Sequence, residues 1–472
     1  MKKKITISYH TIANVFVLIL LIIFAITNWN VYYPNHSWTT KISIVSIALL
    51  IYQLTAMKMN KIKIYDFRIW FTILQYLFIF GRIYLNALNL DEEIFWNLMN
   101  YYDDIYMSRA ALYALVFVQC IYLGMFFSNG KSNVNEKVES AKKIPSKKLL
   151  FIGIVMLIIS IPFRFYNDYL TIIAQRSANA YVSIAVDNAF FYALGLLVPV
   201  GFIYIIVSEK LSKRKLDMIL VIYAVYTIVV MMFSGDRRYA ITSFIAIILC
   251  YIKTLNIKIG IKKIIVYGII GMFALLILAA IRNARLYVIN SFSDFFDMFV
   301  ELITKSNFIY ETLSEFGLTF FIYVAVIEFF PSQFSFKLGS TYLFAPFTVI
   351  PMSGYFFPGV QEAVSAHFDC KSITHQSLGA ALGEELFANF GFVAPAIAIL
   401  CGVILSFIMK ESKISNTGNK QKIANYYSFF YILVNLVRAS TTEIFRLAVY
   451  AMVFPWIIGL FYKEKERGEE IE

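Results

Sequence analysis

Apolar runs of membrane-crossing length recur along this chain from end to end, and that recurrence leaves few folds open. After Met1-Lys-Lys-Lys4 the first run extends to Thr27. Further runs, each near the ~20 residues that span a hydrocarbon core, fall at roughly 40–57, 68–86, 107–128, 149–163, 189–208, 217–233, 239–255, 264–281, 391–409, 423–437 and 445–462. Apolar residue types fill 60% of the 472 positions and charged types only 15%. A soluble domain cannot bury that much apolar surface, so lipid must solvate most of it. The pattern predicts an all-α integral membrane protein with about twelve transmembrane helices. Residues 1–281 would carry nine of them, 282–390 one long loop, and 391–472 three more and a short tail.

The first run is long and has no small-residue cleavage site after it, so it reads as an uncleaved helix. An even number of spans puts both termini on one side. Of 42 lysines and arginines, 28 fall in loops on that side and 14 on the other. The basic side is cytoplasmic, which places 282–390 outside. The net charge of +12 is then a topology signal and excludes a nucleic-acid partner. Cys120, Cys250 and Cys401 lie in apolar runs and Cys370 stands alone in the loop, which excludes a disulfide framework and a cysteine metal cluster.

A loop beyond ~15 residues without its own framework is usually functional or disordered. This one is too rich in Phe, Tyr, Leu and Pro for disorder, so it is expected to handle substrate. Within it, Phe316–Phe330 is apolar enough to enter the membrane. A single extra crossing there would put Lys410–Lys422 and the tail outside, against the charge rule, so an interfacial or re-entrant segment is expected.

The basic residues also sort by type: 25 Lys and 3 Arg inside, 4 Lys and 10 Arg outside. Any cation can hold orientation, whereas arginine suits bidentate, partly desolvated contact with phosphate. Three outer clusters follow: Arg237 with Arg238 in a tight turn, Arg282 with Arg285 on one helical face, and Arg438 with Arg446 around the last turn. The plain alternative is snorkelling to headgroups or pairing with a local acid, Asp236 or Glu443. That alternative is the better account of Arg82, Arg109 and Arg164.

Glu384 and Glu385 precede the tenth run, and Asn389 lies one turn beyond Glu385. A carboxylate at such a boundary is a solvated cap or a general base. His375 is a second base candidate and His367 a third. No P-loop, GxGxxG, HExxH or cysteine ligand set occurs, so no metal or other cofactor is expected. Asp91-Glu-Glu93 and Asp103-Asp104 offer carboxylates for a divalent ion, but their irregular spacing favours a solvated loop face.

Taken in order, Gly235-Asp-Arg-Arg238, Arg282-x-x-Arg285, Leu338-Gly-Ser-Thr-Tyr-Leu, Pro346…Pro351, Ser377-Leu-Gly-Ala, Glu385-x-x-x-Asn389-Phe-Gly391 and Arg438 form a recognisable series. It resembles the Wzy-type O-antigen and capsular polysaccharide polymerases of bacteria, over roughly residues 215–460. One departure is Ala439-Ser440, where a glycine-containing turn is common. The resemblance implies a fold like that of the GT-C multi-helix glycosyltransferases with a large external loop. It also implies a glycosyltransferase at the outer face of the cytoplasmic membrane, joining undecaprenyl-diphosphate-linked oligosaccharide repeats without nucleotide or metal. A chain-length regulator and a flippase of the same pathway would be its partners, beside membrane lipids. On this reading Glu385 or His375 is the base, and Arg237, Arg238, Arg282, Arg285, Arg438, Arg446 and Asn389 hold diphosphate and sugar. The O-antigen ligases share much of the pattern. A flippase or exporter of lipid-linked oligosaccharide is the alternative from another class, but it calls for charged residues inside the spans, which here are nearly free of them.

Overall fold

The computed structural model describes most of residues 9–462; residues 1–8, 91–100, 128–144, 177–188, 235–237, 258–292, 410–418 and 463–472 lie outside the described residues, as do most of 294–315 and a few positions between 358 and 377. Among the described residues the secondary structure is helical throughout, with no strand. The helices, in chain order, are α1 (Tyr9–Asn28), α2 (Trp38–Met59), α3 (Phe67–Ala87), α4 (Asp104–Phe127), α5 (Ser146–Arg176), α6 (Ala189–Gly195), α7 (Val198–Ser208), α8 (Lys213–Ser234), α9 (Arg238–Thr254), α10 (Thr319–Phe329), α11 (Ser340–Phe344), α12 (Ser353–Phe356), α13 (Ala366–Thr374), α14 (Leu382–Phe390), α15 (Ala394–Ile408), α16 (Lys420–Leu433) and α17 (Thr441–Leu460). Eight segments among the described residues are long and apolar enough to cross a membrane. The chain is a multi-pass helical membrane protein.

Local chemistry sets several of the ends. Asp66 caps α3 by accepting from the Arg68 amide at 2.9 Å, Asn419 caps α16 through the Gln421 amide at 3.0 Å, and Ser440 caps α17 through the Glu443 amide at 3.3 Å. The run expected to stop at 163 continues to Arg176, with Pro162 inside the helix. Among packed helices neighbouring groups cover the backbone that proline frees, and here α6, α7 and α17 pack along α5. The run at 264–281 lies outside the described residues.

Burial separates centre from rim. The apolar window of α4 is 94% buried and that of α1 only 17%, so α4 is the axis and α1 faces lipid. The axis is packed closely on α15. A Cβ on Gly124 would stand 2.1 Å from the Ile399 carbonyl oxygen, and one on Gly402 would stand 2.3 Å from that of Ile121. Only glycine at both positions lets the two backbones approach so far. A polar seam adds specificity across α1–α4: Tyr52 donates to Asn14 at 2.8 Å, Gln119 to the Asn14 carbonyl at 3.1 Å, Gln53 to Gln119 at 3.0 Å and Tyr76 to Gln53 at 3.1 Å.

The segment expected at the interface or re-entering forms α10. Its eleven residues span ~16 Å, about half a hydrocarbon core. Ten of them are buried, against α3, α4, α13 and α14. Protein therefore covers this short apolar helix on every side.

Candidate functional site

α14 carries the site, and its sequence explains its seat. Gly383 lets the helix start against two phenols: Tyr113 donates to the Gly383 carbonyl at 2.7 Å, and a Cβ at 383 would meet the Tyr323 hydroxyl at 2.4 Å. Held there, Glu384 and Glu385 are each only 1% exposed and Asn389 is fully buried. The two carboxylates point to different neighbours. Glu384 accepts from the Ala381 amide at 3.3 Å, in the usual manner of a third-position glutamate closing the start of a helix. Glu385 reaches the first turn of α17, where its Oε2 accepts from the Thr441 amide at 2.8 Å. The hydroxyls of Thr341 and Thr441 flank this carboxylate, yet Oε1 has no hydrogen-bond partner.

The far end of α14 is laced to the segment before α11. The Lys337 and Leu338 amides donate to the Ala388 and Asn389 carbonyls, both at 3.0 Å. The Asn389 side chain completes the lacing. Its Oδ1 accepts from the Gly339 amide at 2.9 Å, and its Nδ2 donates to Thr341 Oγ1 at 2.8 Å and to the Glu385 carbonyl at 2.7 Å. Gly339 sits at φ +87°, a conformation that glycine adopts without a steric penalty. Asn389, expected to touch sugar, thus spends both amide hydrogens and its carbonyl inside the protein. It fixes Thr341 beside Glu385.

Behind α14, Lys337 pairs with Asp369 of α13 at 2.8 Å. Cys370 is buried next to that pair. Burial first, then the charges of Glu384 and Asp369, push its thiol pKa up, so it is inert. His375 lies apart from this packing. It is exposed, in the left-handed region at φ +54°, and its amide closes the end of α13 on the Lys371 carbonyl at 2.9 Å. His367 packs its ring on Phe368 with centroids 4.3 Å apart.

Of the outer arginines, Arg446 is the most informative. Its Nε donates to the Thr348 carbonyl at 2.8 Å, and Tyr450, one turn on, donates to the Val349 carbonyl at 2.5 Å. These two bonds clamp residues 345–349 onto α17. Glu443, expected from sequence as its local partner, accepts from Tyr239 of α9, and its charge also acts on Arg446. Arg438 follows the 434–437 turn and stacks over the Phe78 ring at 5.6 Å. Arg238 opens α9; Arg237, Arg282 and Arg285 lie outside the described residues. Arg82 and Arg109 are used within the fold, donating to the Ser314 and Trp29 carbonyls, each at 3.0 Å. Arg164 pairs with Asp168 at 2.8 Å.

Among the described residues no group of three or more His, Cys, Asp or Glu is placed to hold a metal ion. Asp104, read from sequence as part of a solvated face, is bound by His36 Nδ1 at 2.5 Å and Trp38 Nε1 at 2.7 Å. A cavity of about 370 Å³ between α7, α8 and α9 lies at the opposite end of α9 from the Tyr239–Glu443 contact, roughly 25 Å away along the helix. It takes no part in this arrangement.

The chain matches the family model for the O-antigen polysaccharide polymerase Wzy over residues 9–465. The chain belongs to the Wzy O-antigen polysaccharide polymerase family. No curated protein and no solved structure matches it. Family membership extends the resemblance from the second half to nearly the whole chain, α1 included. The family joins lipid-linked oligosaccharide repeat units within a membrane, a glycosyltransferase-like polymerisation. Sequence reasoning did not single out Thr341 and Thr441, which flank Glu385, or Tyr342 next to Thr341. Thr341 and Tyr342 stand in the quoted Leu338–Leu343 motif and Thr441 in the Arg438–Arg446 turn, so the signal was present as motifs without roles.

Proposed function

We propose that this Wzy-family chain polymerises undecaprenyl-diphosphate-linked repeats at the outer face of the bacterial cytoplasmic membrane. On this reading it has twelve spans, cytoplasmic termini, a GT-C-like fold and 282–390 as the external substrate-handling loop with α10 as its re-entrant element. Glu385 is the general base. The observation that carries this role is its seat: a wholly buried carboxylate, pinned by the Thr441 amide through Oε2, with Oε1 left without a partner. A hydroxyl of the incoming repeat gives its proton to Oε1 and attacks the anomeric carbon of the growing chain. The bond from that carbon to the diphosphate oxygen breaks, and the electron pair leaves with the undecaprenyl diphosphate.

Negative charge grows on that leaving group, and fixed cations stabilise it as it forms. Arg446, oriented by the Thr348 carbonyl, and Arg438 serve here, with Arg237, Arg238, Arg282 and Arg285. Asn389 acts by positioning Thr341 and the Leu338–Gly339 turn. His375, exposed just after α13, is a secondary candidate that would act from the loop side. A pathway flippase and a chain-length regulator would be the protein partners.

The polar seam of α1–α4 favours an enzyme over an exporter, because its amides and phenols bond one another and include no carboxylate or ammonium. An O-antigen-ligase-type transfer to another acceptor would use the same site. Surface polysaccharide from cells lacking the chain tests the choice. Products of a single repeat support a polymerase; full-length polymer left on its lipid carrier points to ligation instead.

A further inference from the structure

Glu385 Oε1 and two hydroxyls from other elements form a cluster of three buried polar atoms without a well-formed hydrogen bond. Besides Glu385 Oε1 on α14, the Tyr342 hydroxyl on α11 and Thr441 Oγ1 at the start of α17 are buried with no well-formed hydrogen bond, and the Thr441 hydroxyl stands beside the Glu385 carboxylate. Folded proteins leave few buried polar groups unmatched, so a cluster of them asks for a ligand. Thr441 is tied to the carboxylate by its own amide at 2.8 Å. Tyr342 is placed by its neighbours. Thr341, just before it, takes the Asn389 amide, and its ring lies parallel to that of Phe390 with centroids 6.1 Å apart. The hydroxyl then falls within the field of Glu385 and Glu384. Burial first, then the charge of Glu385, holds the phenol pKa well above its ordinary range, so it stays a donor at neutral pH.

The chemistry of this triad selects its ligand. A carboxylate oxygen beside two hydroxyls repels a phosphate and offers nothing to an alkyl chain. Neighbouring hydroxyls on one sugar ring match it, because each can donate to one group and accept from another. We propose that Tyr342 and Thr441 bind the acceptor sugar, Tyr342 holding the hydroxyl next to the one that Glu385 deprotonates. This deepens the polymerase reading and rests on it.

The test uses the full chain in liposomes with the lipid-linked single repeat extracted from cells lacking it. Acceptor analogues, each missing one sugar hydroxyl, complete the set. A site built to bond a hydroxyl rejects the analogue without it. The wild type should lose about tenfold or more in kcat/KM with one non-attacking position removed, and Tyr342→Phe should lose less than about twofold at that same position. Tyr342→Phe should also raise KM for the intact acceptor more than it lowers kcat. Thr441→Val keeps the amide and should abolish discrimination at a different hydroxyl; it decides the matter if Tyr342→Phe fails to fold. Wild-type behaviour of both variants, or an equal loss against every analogue, overturns the proposal. If the wild type does not join repeats at all, the polymerase reading falls instead. If it does, and Glu385→Gln is inactive while Tyr342→Phe is normal, the acceptor assignment alone falls.

Discussion

Glu385 and Arg446 each have one side used by the fold and one side open to chemistry, and that division makes clean substitutions possible. In Glu385→Gln the side-chain carbonyl can still accept from the Thr441 amide, so α14 and α17 stay joined while the proton acceptor is lost. Polymerisation in reconstituted liposomes should fall by roughly 10²–10⁴-fold with unchanged thermal stability. Near-normal rates would remove Glu385 as base and turn attention to His375. Arg446→Lys keeps the charge but cannot both hold the Thr348 carbonyl and present a planar fork. Losing a charged hydrogen bond of ~1.5–3 kcal/mol predicts a drop of about tenfold or more. Full polymer length on a gel from cells carrying Arg446→Lys would favour a purely structural clamp.

At the scale of elements, the segment Lys337–Thr341 and helix α14 behave as one unit whose rivet is Asn389. Asn389→Ala removes three hydrogen bonds from a buried position, a loss of roughly 2–4 kcal/mol. The melting temperature in detergent should drop by several degrees, and activity should drop with it because Thr341 loses its place. A stable but inactive Asn389→Ala protein would instead mean that this amide meets the substrate. Much of this element was legible in the sequence: the Glu385–Asn389 spacing marks one helical face, and a glycine ahead of Ser-Thr marks a turn. What was hidden is depth. Nothing local in Gly-Glu-Glu-Leu says that both carboxylates sit beneath α4 and α10, because burial is decided by helices distant in the sequence. The run read as ending at 163 continues through Pro162 to Arg176. Proline ends an isolated helix, but inside a bundle α5 runs through it.

For the whole molecule, the apolar periodicity made the helices readable, while their packing had to come from close approaches that single glycines permit. Gly124→Val would drive a branched side chain into the Ile399 carbonyl, already 2.1 Å from an added Cβ, and should abolish a monodisperse peak in fluorescence-detected size exclusion; a normal peak would show that α4 and α15 can separate. Orientation depends on a different physical cue, the division of 42 basic residues into 28 and 14. The proposed site needs that division to be right, since on the proposed reading Glu385, Arg438 and Arg446 share the outer side with residues 282–390. With single cysteines introduced into a cysteine-free chain, an impermeant thiol reagent added to intact cells should label positions 35, 91, 177 and 333 and spare 132, 213 and 416. Gln333 is the discriminating position, because it follows α10. If α10 together with its flanks crossed the membrane, 333 would be protected while 35 and 177 still reacted. Labelling at 416 with protection at 333 would invert the map and move the Glu385 site to the cytoplasmic face, where a polymerase of exported repeats has no substrate.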